Sequence, residues 1–530
     1  MIYAIKLLLS ALLAAGAGAF LFRKAFDDLM SRQEYRRAWV CIGLATCAAF
    51  LCKFPPVFLV VIGLLAAWQA NTMRNGTIGN IAVFLMLSAV LPPIEFKVGV
   101  GGVGFLLQVS HFRALALALL VGPALKLLSQ KAEHKPRGLL WIDMAILAYQ
   151  LFRIALKVPS STSTTIARLI VESALDVLLP YYVLTRGIRT LSELRFAVAH
   201  LMLGLIFVAS VGLLEAFTQH NIYSGLQSIY GITWQLSYVL ARGGLIRVQS
   251  TAPVPINLAI TMMFALGLWI WLHGREWRTR GPILVTFAFL LCMIATWSRG
   301  PWLAAAAMLA MIFVVHRVSS GTFRILVLLT LAAGIFAKLS GADGVILGAV
   351  NSLFGGSDSD LASFDYRRQL LDTSLALIAQ SPLWGVANYA AQMQSLRQGE
   401  GIVDIVNTYV GIMLEVGLVG LFIYLAPFVV VVHRLLKEIR RDPSGGIRAP
   451  GSRFAAMMVA LILGMLFAIF TTSTFGFVAL QLTLCIALSA AWLAMPTTER
   501  HAVSALKLQT VAPVRWRLAA AQALPLRESP

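Results

Sequence analysis

The sequence predicts an all-α polytopic integral membrane protein of about 13–15 transmembrane helices, and three observations carry that prediction. Its 530 residues are 59% hydrophobic and only 12% charged, against roughly 25% charged in soluble domains, and the mean hydropathy is +0.81. Apolar stretches of about 16 to 25 residues recur from end to end, close to the ~20 that cross ~30 Å of hydrocarbon as a helix. They run continuously apolar, which excludes a transmembrane β-barrel, whose strands alternate in polarity over about ten residues.

Spans are expected near 2–22, 38–52, 55–70, 78–94, 106–128, 139–157, 166–184, 196–216, 256–272, 282–297, 301–316, 325–339, 408–432, 454–470 and 474–495. The pair 38–52 and 55–70, interrupted by "KFPP", also reads as a broken hairpin. The first run is followed by "RKAFDD" and reads as a retained span, with the small residues "AAGAGA" leaving a cleavable signal peptide as the alternative.

The formal net charge of +20 is a matter of topology. Loops 23–37, 71–77, 126–138, 185–195, 273–281, 317–324 and 433–453 and the tail 496–530 hold most of the 43 Lys and Arg residues, and loops so enriched face the cytoplasm. No groove-sized basic patch with interleaved aromatics appears, so nucleic acid is not an expected partner. Five cysteines, Cys41, Cys47, Cys52, Cys292 and Cys485, lie inside apolar runs without metal-ligand spacing. They read as small core residues, and neither a metal nor a cofactor is expected.

Six arginines break the charge rule by falling on the opposite face: Arg242, Arg247, Arg299, Arg367, Arg368 and Arg397. Five of them lie in two long outer segments, 217–255 and 340–407. The organisation expected is therefore an N-terminal transmembrane bundle (1–216), an outer loop (217–255), central transmembrane helices (256–339), a large outer loop with amphipathic helices (340–407), C-terminal transmembrane helices (408–495) and a basic tail (496–530). Within "FDYRRQLLDTSLALIAQSPLWG", Leu370, Leu371, Leu375, Leu377 and Ile378 recur at helical spacing, and Pro382 and Gly385 end the pattern.

Arginine offers a planar fork of donors that stays charged and matches phosphate oxygens. Holding several at a membrane edge costs desolvation that an anionic ligand offsets. Arg247, Arg299 and the pair Arg367/Arg368 are read together as a shared anion site. Inside the spans, Glu172 and Asp176 share one helix face and, with Arg153 and Arg168, are expected to form a buried ion network. Glu215 is expected to be surface exposed. Glu415 is expected to be paired or to line a cavity, His111 and Arg113 to reach outward or line an acceptor route, and Gly417 and Gly420 to serve close helix packing.

"RVQSTAPVPINLAI", "TWSRGPWLA" between two spans, and "YRRQLLDTSLALIAQSPLWGVANY" running to "VNTYVGIMLEVGLVGLFIYL" resemble, in their order, spacing and membrane side, the O-antigen ligase and Wzy-type polymerase superfamily. The resemblance covers roughly residues 240–440. It implies a metal-independent glycosyltransferase of the GT-C type in the bacterial inner membrane, working at the periplasmic face on undecaprenyl-pyrophosphate-linked oligosaccharide. It implies pyrophosphate binding by Arg247, Arg299 and Arg367 or Arg368. Membrane lipids, a flippase and chain-length regulators are the further partners it implies.

One departure stands out. Family ligases carry a His-Asn pair at the start of the span after the large loop, and here the pair is Val406-Asn407. Another acceptor for the nucleophile's proton is then needed, and Asp404 and Glu400 in "GEGIVDIVN" are the nearest carboxylates in sequence. Asn407, Tyr409 and Trp384 are the expected glycan contacts. Polymerase, ligase with another acceptor, and lipid-linked oligosaccharide flippase or transporter are the activities left open.

Overall fold

The computed structural model describes residues 2–73, 76–100, 103–130, 139–231, 240–242, 244–273, 280–317, 358–397, 403, 405–441, 450–474, 476–497 and 500. Over these it is a helical membrane bundle, as expected. Helices Ile2–Leu21, Leu191–Thr218, Pro255–His273, Thr408–Arg441 and Phe477–Ala494 are each long and apolar enough to cross a bilayer. His111–Leu119 and Val121–Leu128 form one further span bent by 43°, and shorter apolar helices such as Pro55–Asn71 and Gly76–Val90 fill the bundle between them. The expected span 325–339 lies outside the described residues. Large apolar side chains such as Phe20 (82% exposed) and Phe422 (70% exposed) face outward, which suits hydrocarbon and not water.

Local sequence explains where the helices begin. Ser31 and Glu34 form a capping box ahead of Arg32–Leu51, as do Thr190 and Glu193 ahead of Leu191–Thr218. Pro55 occupies the first turn of Pro55–Asn71, where its missing N–H costs nothing. The central helix Leu191–Thr218 packs against Gly76–Val90. Gly204 there sits so close to the Met86 carbonyl that a methyl group would overlap it.

The chain alternates between two ends of the bundle. Tyr3, at the start of the first helix, bonds His220, just past the end of Leu191–Thr218, at 2.9 Å. Tyr230 donates to the Ala49 carbonyl at 2.9 Å, and Val248 N–H to the Ala295 carbonyl at 3.2 Å. These contacts gather one set of helix ends together.

Three expectations are corrected. The start of the predicted span 106–128 is a strand: Val103–Ser110 pairs antiparallel with Glu95–Val100, with Glu95 opposite Ser110, and the helix begins only at His111. A short apolar run rich in Val and Gly carries no periodicity that separates strand from helix. The predicted span 166–184 is interrupted by a π-helical segment, Ser173–Leu178. The predicted apolar face of the loop helix is split: in Asp358–Gln380, Leu370, Leu377 and Ile378 are buried, whereas Leu371 and Leu375 are exposed. Ser374 lies one turn after Leu370 and completes the buried stripe, its hydroxyl donating to the Leu370 carbonyl at 2.6 Å.

That loop helix belongs to a satellite core of Leu370, Leu377, Ile378, Val386, Met393, Leu396, Ile405, Val410 and Leu414. The satellite joins the outer loop to the first turns of Thr408–Arg441. The latter helix is broken at Gly417, whose φ of 70° and ψ of −173° are non-helical. The groups freed by the break are taken up by the loop. Leu414 carbonyl accepts from Val386 N–H at 2.8 Å, and Leu418 N–H donates to the Pro382 carbonyl at 2.8 Å. Gly417 therefore supplies a backbone conformation, while Gly420 lies against Val416 and Phe152 as a packing position.

Candidate functional site

The sharpest polar assembly at the gathered helix ends is built on residues 247–250 and 295–300. Arg247 Nε donates to the Thr296 carbonyl at 3.0 Å and its Nη2 to Ser298 Oγ at 2.8 Å. The two arginine-bearing stretches, 52 positions apart at Arg247 and Arg299, are thereby joined side by side. Arg299 is the first residue of the helix Arg299–Arg317, whose N-terminus offers unpaired amides and a macrodipole that favour anions. Arg247 and Arg299 are both partly exposed.

Two left-handed residues flank the assembly. Ser250 has φ 53° and Trp297 φ 51°, conformations that cost of order 1–3 kcal/mol at a non-glycine residue and concentrate at functional sites. What holds Ser250 there is Glu215, and the exposure expected for Glu215 is overturned: it is 0% exposed. Its carboxylate accepts from Ile222 N–H at 2.9 Å, Gln249 N–H at 3.1 Å and Ser250 N–H at 2.8 Å. Three backbone donors in a turn offer a carboxylate the bonding it loses by leaving water.

A second turn, 469–474, ties this assembly to the start of Thr408–Arg441. Thr408 N–H donates to the Ile469 and Thr472 carbonyls at 3.1 Å each, and Thr408 Oγ1 to the Thr472 carbonyl at 2.7 Å. On the other side, a methyl group at Gly300 would come within 2.5 Å of Thr471 Oγ1. Only glycine beside Arg299 lets that turn approach.

The remaining predicted residues divide. Asn407 accepts at Oδ1 from Tyr409 N–H at 3.0 Å and Val410 N–H at 3.3 Å, which makes it the N-cap of Thr408–Arg441. Tyr409 donates its hydroxyl to the Leu466 carbonyl at 2.6 Å. Trp384 is 55% exposed on the loop that fills the Gly417 break, 6.2 Å from the Phe152 ring. Arg367 and Arg368 are exposed on a different element, the loop helix Asp358–Gln380; the hydrogen bonds above join Arg247 with the turn leading to Arg299. Asp404 and Glu400 lie outside the described residues.

The expected ion network exists, with a different cation at its centre. Arg113 pairs with Asp176 at 2.7 Å and with Glu172 at 3.3 Å, so a partner to Glu172 and Asp176 comes from the neighbouring bent span, and Arg153 also acts electrostatically on Glu172. Arg153 pairs with Glu415 at 3.1 Å and Lys157 with the same oxygen at 3.8 Å. His111, at 3% exposure, is buried; neither it nor Arg113 reaches outward. Both line a cavity of about 270 Å³, and Glu415 lines a neighbouring one of about 360 Å³. Among the described residues no group of three or more His, Cys, Asp or Glu is placed to hold a metal ion.

The fold is that of a polytopic membrane protein, and these contacts join two of its arginine-bearing stretches. Residues 282–425 match the family model of the O-antigen ligases. That segment runs from the helix before Arg299 to the Gly417 break and the turns beyond it, and over it the resemblance read from the sequence holds. No curated protein matches the chain.

Proposed function

We propose that the protein is a polysaccharide polymerase that moves glycan from one undecaprenyl-pyrophosphate carrier onto the repeat unit held by another, at the periplasmic face of a bacterial inner membrane. The observation that carries this reading is the hydrogen bonding of Arg247 to Thr296 and Ser298, which brings the Arg247 guanidinium to the turn leading into Arg299 and the helix it opens. In the reaction, a non-reducing-end hydroxyl of the incoming unit attacks the anomeric carbon of the growing chain. The bond from that carbon to the pyrophosphate oxygen breaks, and the hydroxyl proton passes to a carboxylate, Asp404 or Glu400. The diphosphate gains charge as it leaves. Arg247 and Arg299, with Arg367 or Arg368 from the loop helix, stabilise it in a site already shaped for it.

The family model matched is described as a ligase, and a ligase acting on a different acceptor is the second reading. Val406 stands where family ligases carry histidine, which favours the polymerase. Purified protein supplied with lipid-linked repeat units, and with neither an ion nor a proton gradient, separates the readings. Glycan elongated on the lipid carrier supports the polymerase. Transfer only to an added non-carrier acceptor supports the ligase, and carrier relocation without new glycosidic bonds supports transport.

A further inference from the structure

Two chambers adjoin beneath the arginine assembly. The larger, about 360 Å³, is enclosed by Leu140–Lys157, the π-helical segment, the kinked helix Thr408–Arg441 and Phe477–Ala494. The smaller, about 270 Å³, reaches Pro253 and Gly476, the ends of the turns that carry Ser250 and Thr472. The two share Asp176, Val177 and Ala479 as lining. Thr474 lines the larger one and belongs to the turn whose Thr471 abuts Gly300. Glu415 lies seven residues after Thr408, on the same face of its helix. The chambers thus touch the turns that flank the arginine assembly, at Pro253, Thr474 and Gly476, and run along the kinked helix.

Their lining selects among occupants. Two arginines on the walls, Arg113 and Arg153, are paired with Glu172, Asp176 and Glu415, and Glu95 accepts from Gln108, so the lining carries an excess of carboxylates that disfavours an anion. An apolar chain would strip these groups of solvation with nothing in return. Some polar atoms remain open. Both cations at Glu415 contact Oε1, which leaves Oε2 available to the chamber. Ser173, 5% exposed, has a hydroxyl without a hydrogen-bond partner, as does Nδ1 of His111, 3% exposed. A helical serine usually returns its hydroxyl to the carbonyl four residues back; in the π-helical turn Ser173 does not. The rings of Tyr149 and Tyr424 meet edge to face, 5.1 Å apart, on the wall. Donors, carboxylate acceptors and aromatic faces match an uncharged polyhydroxylated ligand, whose hydroxyls both donate and accept.

We propose that the joined chambers bind the saccharide of the glycan acceptor, with Glu415 Oε2 and Ser173 Oγ taking hydrogen bonds from and giving them to sugar hydroxyls. The word acceptor rests on the transferase reading above; the sugar binding itself does not. The test uses the full chain in nanodiscs and two probes. One is the oligosaccharide repeat released by mild acid from the host's own surface polysaccharide, free of lipid and phosphate. The other is undecaprenyl pyrophosphate without sugar.

Saturation-transfer NMR is expected to detect the oligosaccharide on the wild-type protein. Ser173→Phe, which fills the chamber, and Glu415→Gln, which removes a charged acceptor, are each expected to weaken it by about tenfold, with undecaprenyl pyrophosphate binding unchanged. Ser173→Ala, and alanine at Gln150, which lines the larger chamber, carry the same test should the bulky variant fail to assemble. Oligosaccharide that does not bind the wild type, or binds every variant equally, overturns the proposal. Undecaprenyl pyrophosphate that fails to bind the wild type sinks the transferase reading instead, and leaves the sugar arm to be judged by itself.

Discussion

Arg247 Nη2 lies 2.8 Å from Ser298 Oγ, so the guanidinium that the proposed site depends on is aimed by the residue immediately before Arg299. Ser298 is 4% exposed and its hydroxyl has no other role in view than to bond Arg247 and the Thr296 carbonyl. Ser298→Ala is expected to lower polymer formation by roughly fivefold, about the worth of one hydrogen bond to a charged group that still keeps its second contact. Arg247→Lys is expected to cost about a hundredfold, because a point charge cannot hold the turn and a phosphate with the same fork. Glycan synthesis by purified variants, matched for membrane level, measures both. Equal activity of Arg247→Lys and wild type would remove this arginine from the site.

Glu215 holds the other end of the 247–250 segment. Replacing it with alanine leaves the N–H groups of Ile222, Gln249 and Ser250 buried without acceptors, at about 1–3 kcal/mol each. Glu215→Ala is therefore expected to lower the thermal midpoint of the detergent-solubilised protein sharply. Glu215→Gln, which keeps one acceptor oxygen, should fall between. Fluorescence-detected size exclusion after heating reads the order wild type, Gln, Ala. A Glu215→Ala protein as heat-resistant as the wild type would show that the carboxylate does not hold the 247–250 segment.

The helical membrane bundle and the family resemblance of its motifs were legible because bilayer crossing demands long apolar runs and because the motifs keep their order and spacing. Glu215 was not legible. A carboxylate at a helix end reads as exposed unless the fold brings backbone donors to it, and its donors come from residues 7 to 35 positions later. The Arg113 pairing was missed for a related reason. Helical spacing placed Glu172 and Asp176 on one face but could not say which neighbouring helix would present a cation, and the 63-residue separation from Arg113 to Asp176 leaves no local signature. The hairpin 95–110 was hidden in an apolar run that hydropathy alone reads as span.

Glycines with left-handed φ separate conformational need from close packing. Gly385 (φ 81°) and Gly417 (φ 70°) both face backbone atoms of the opposite segment where a side chain would stand; Gly244 (φ 78°) faces open space. Gly244→Ala is expected to cost about 1 kcal/mol from φ alone. Gly417→Ala adds an overlap with the Leu383 carbonyl and should prise the 381–386 loop from the helix break, at about 3 kcal/mol or more. Limited proteolysis within 381–397 is the direct readout. Cleavage should accelerate in Gly417→Ala and stay near the wild-type rate in Gly244→Ala; equal rates would mean that the loop does not depend on the break.

The Arg113–Asp176 pair offers a test of whether these charges are structural alone. Arg113 side chain is 11% exposed and that of Asp176 38%, so one partner is nearly dry while the other keeps contact with the chamber. Arg113→Met strands two carboxylates, Asp176 and Glu172, in a low-dielectric wall, whereas Asp176→Asn leaves Arg113 its contact with Glu172. Arg113→Met is therefore expected to destabilise by about 3 kcal/mol and Asp176→Asn by about 1. The double variant should recover part of the loss, with a coupling of about 1–2 kcal/mol in a double-mutant cycle read from thermal midpoints. Additive losses would show that the two groups act independently and that their 2.7 Å contact carries no energy. Recovered stability without recovered glycan synthesis would instead assign the exposed oxygens of Asp176 to the ligand, since a neutral pair can restore the wall but cannot offer a sugar hydroxyl the same acceptor.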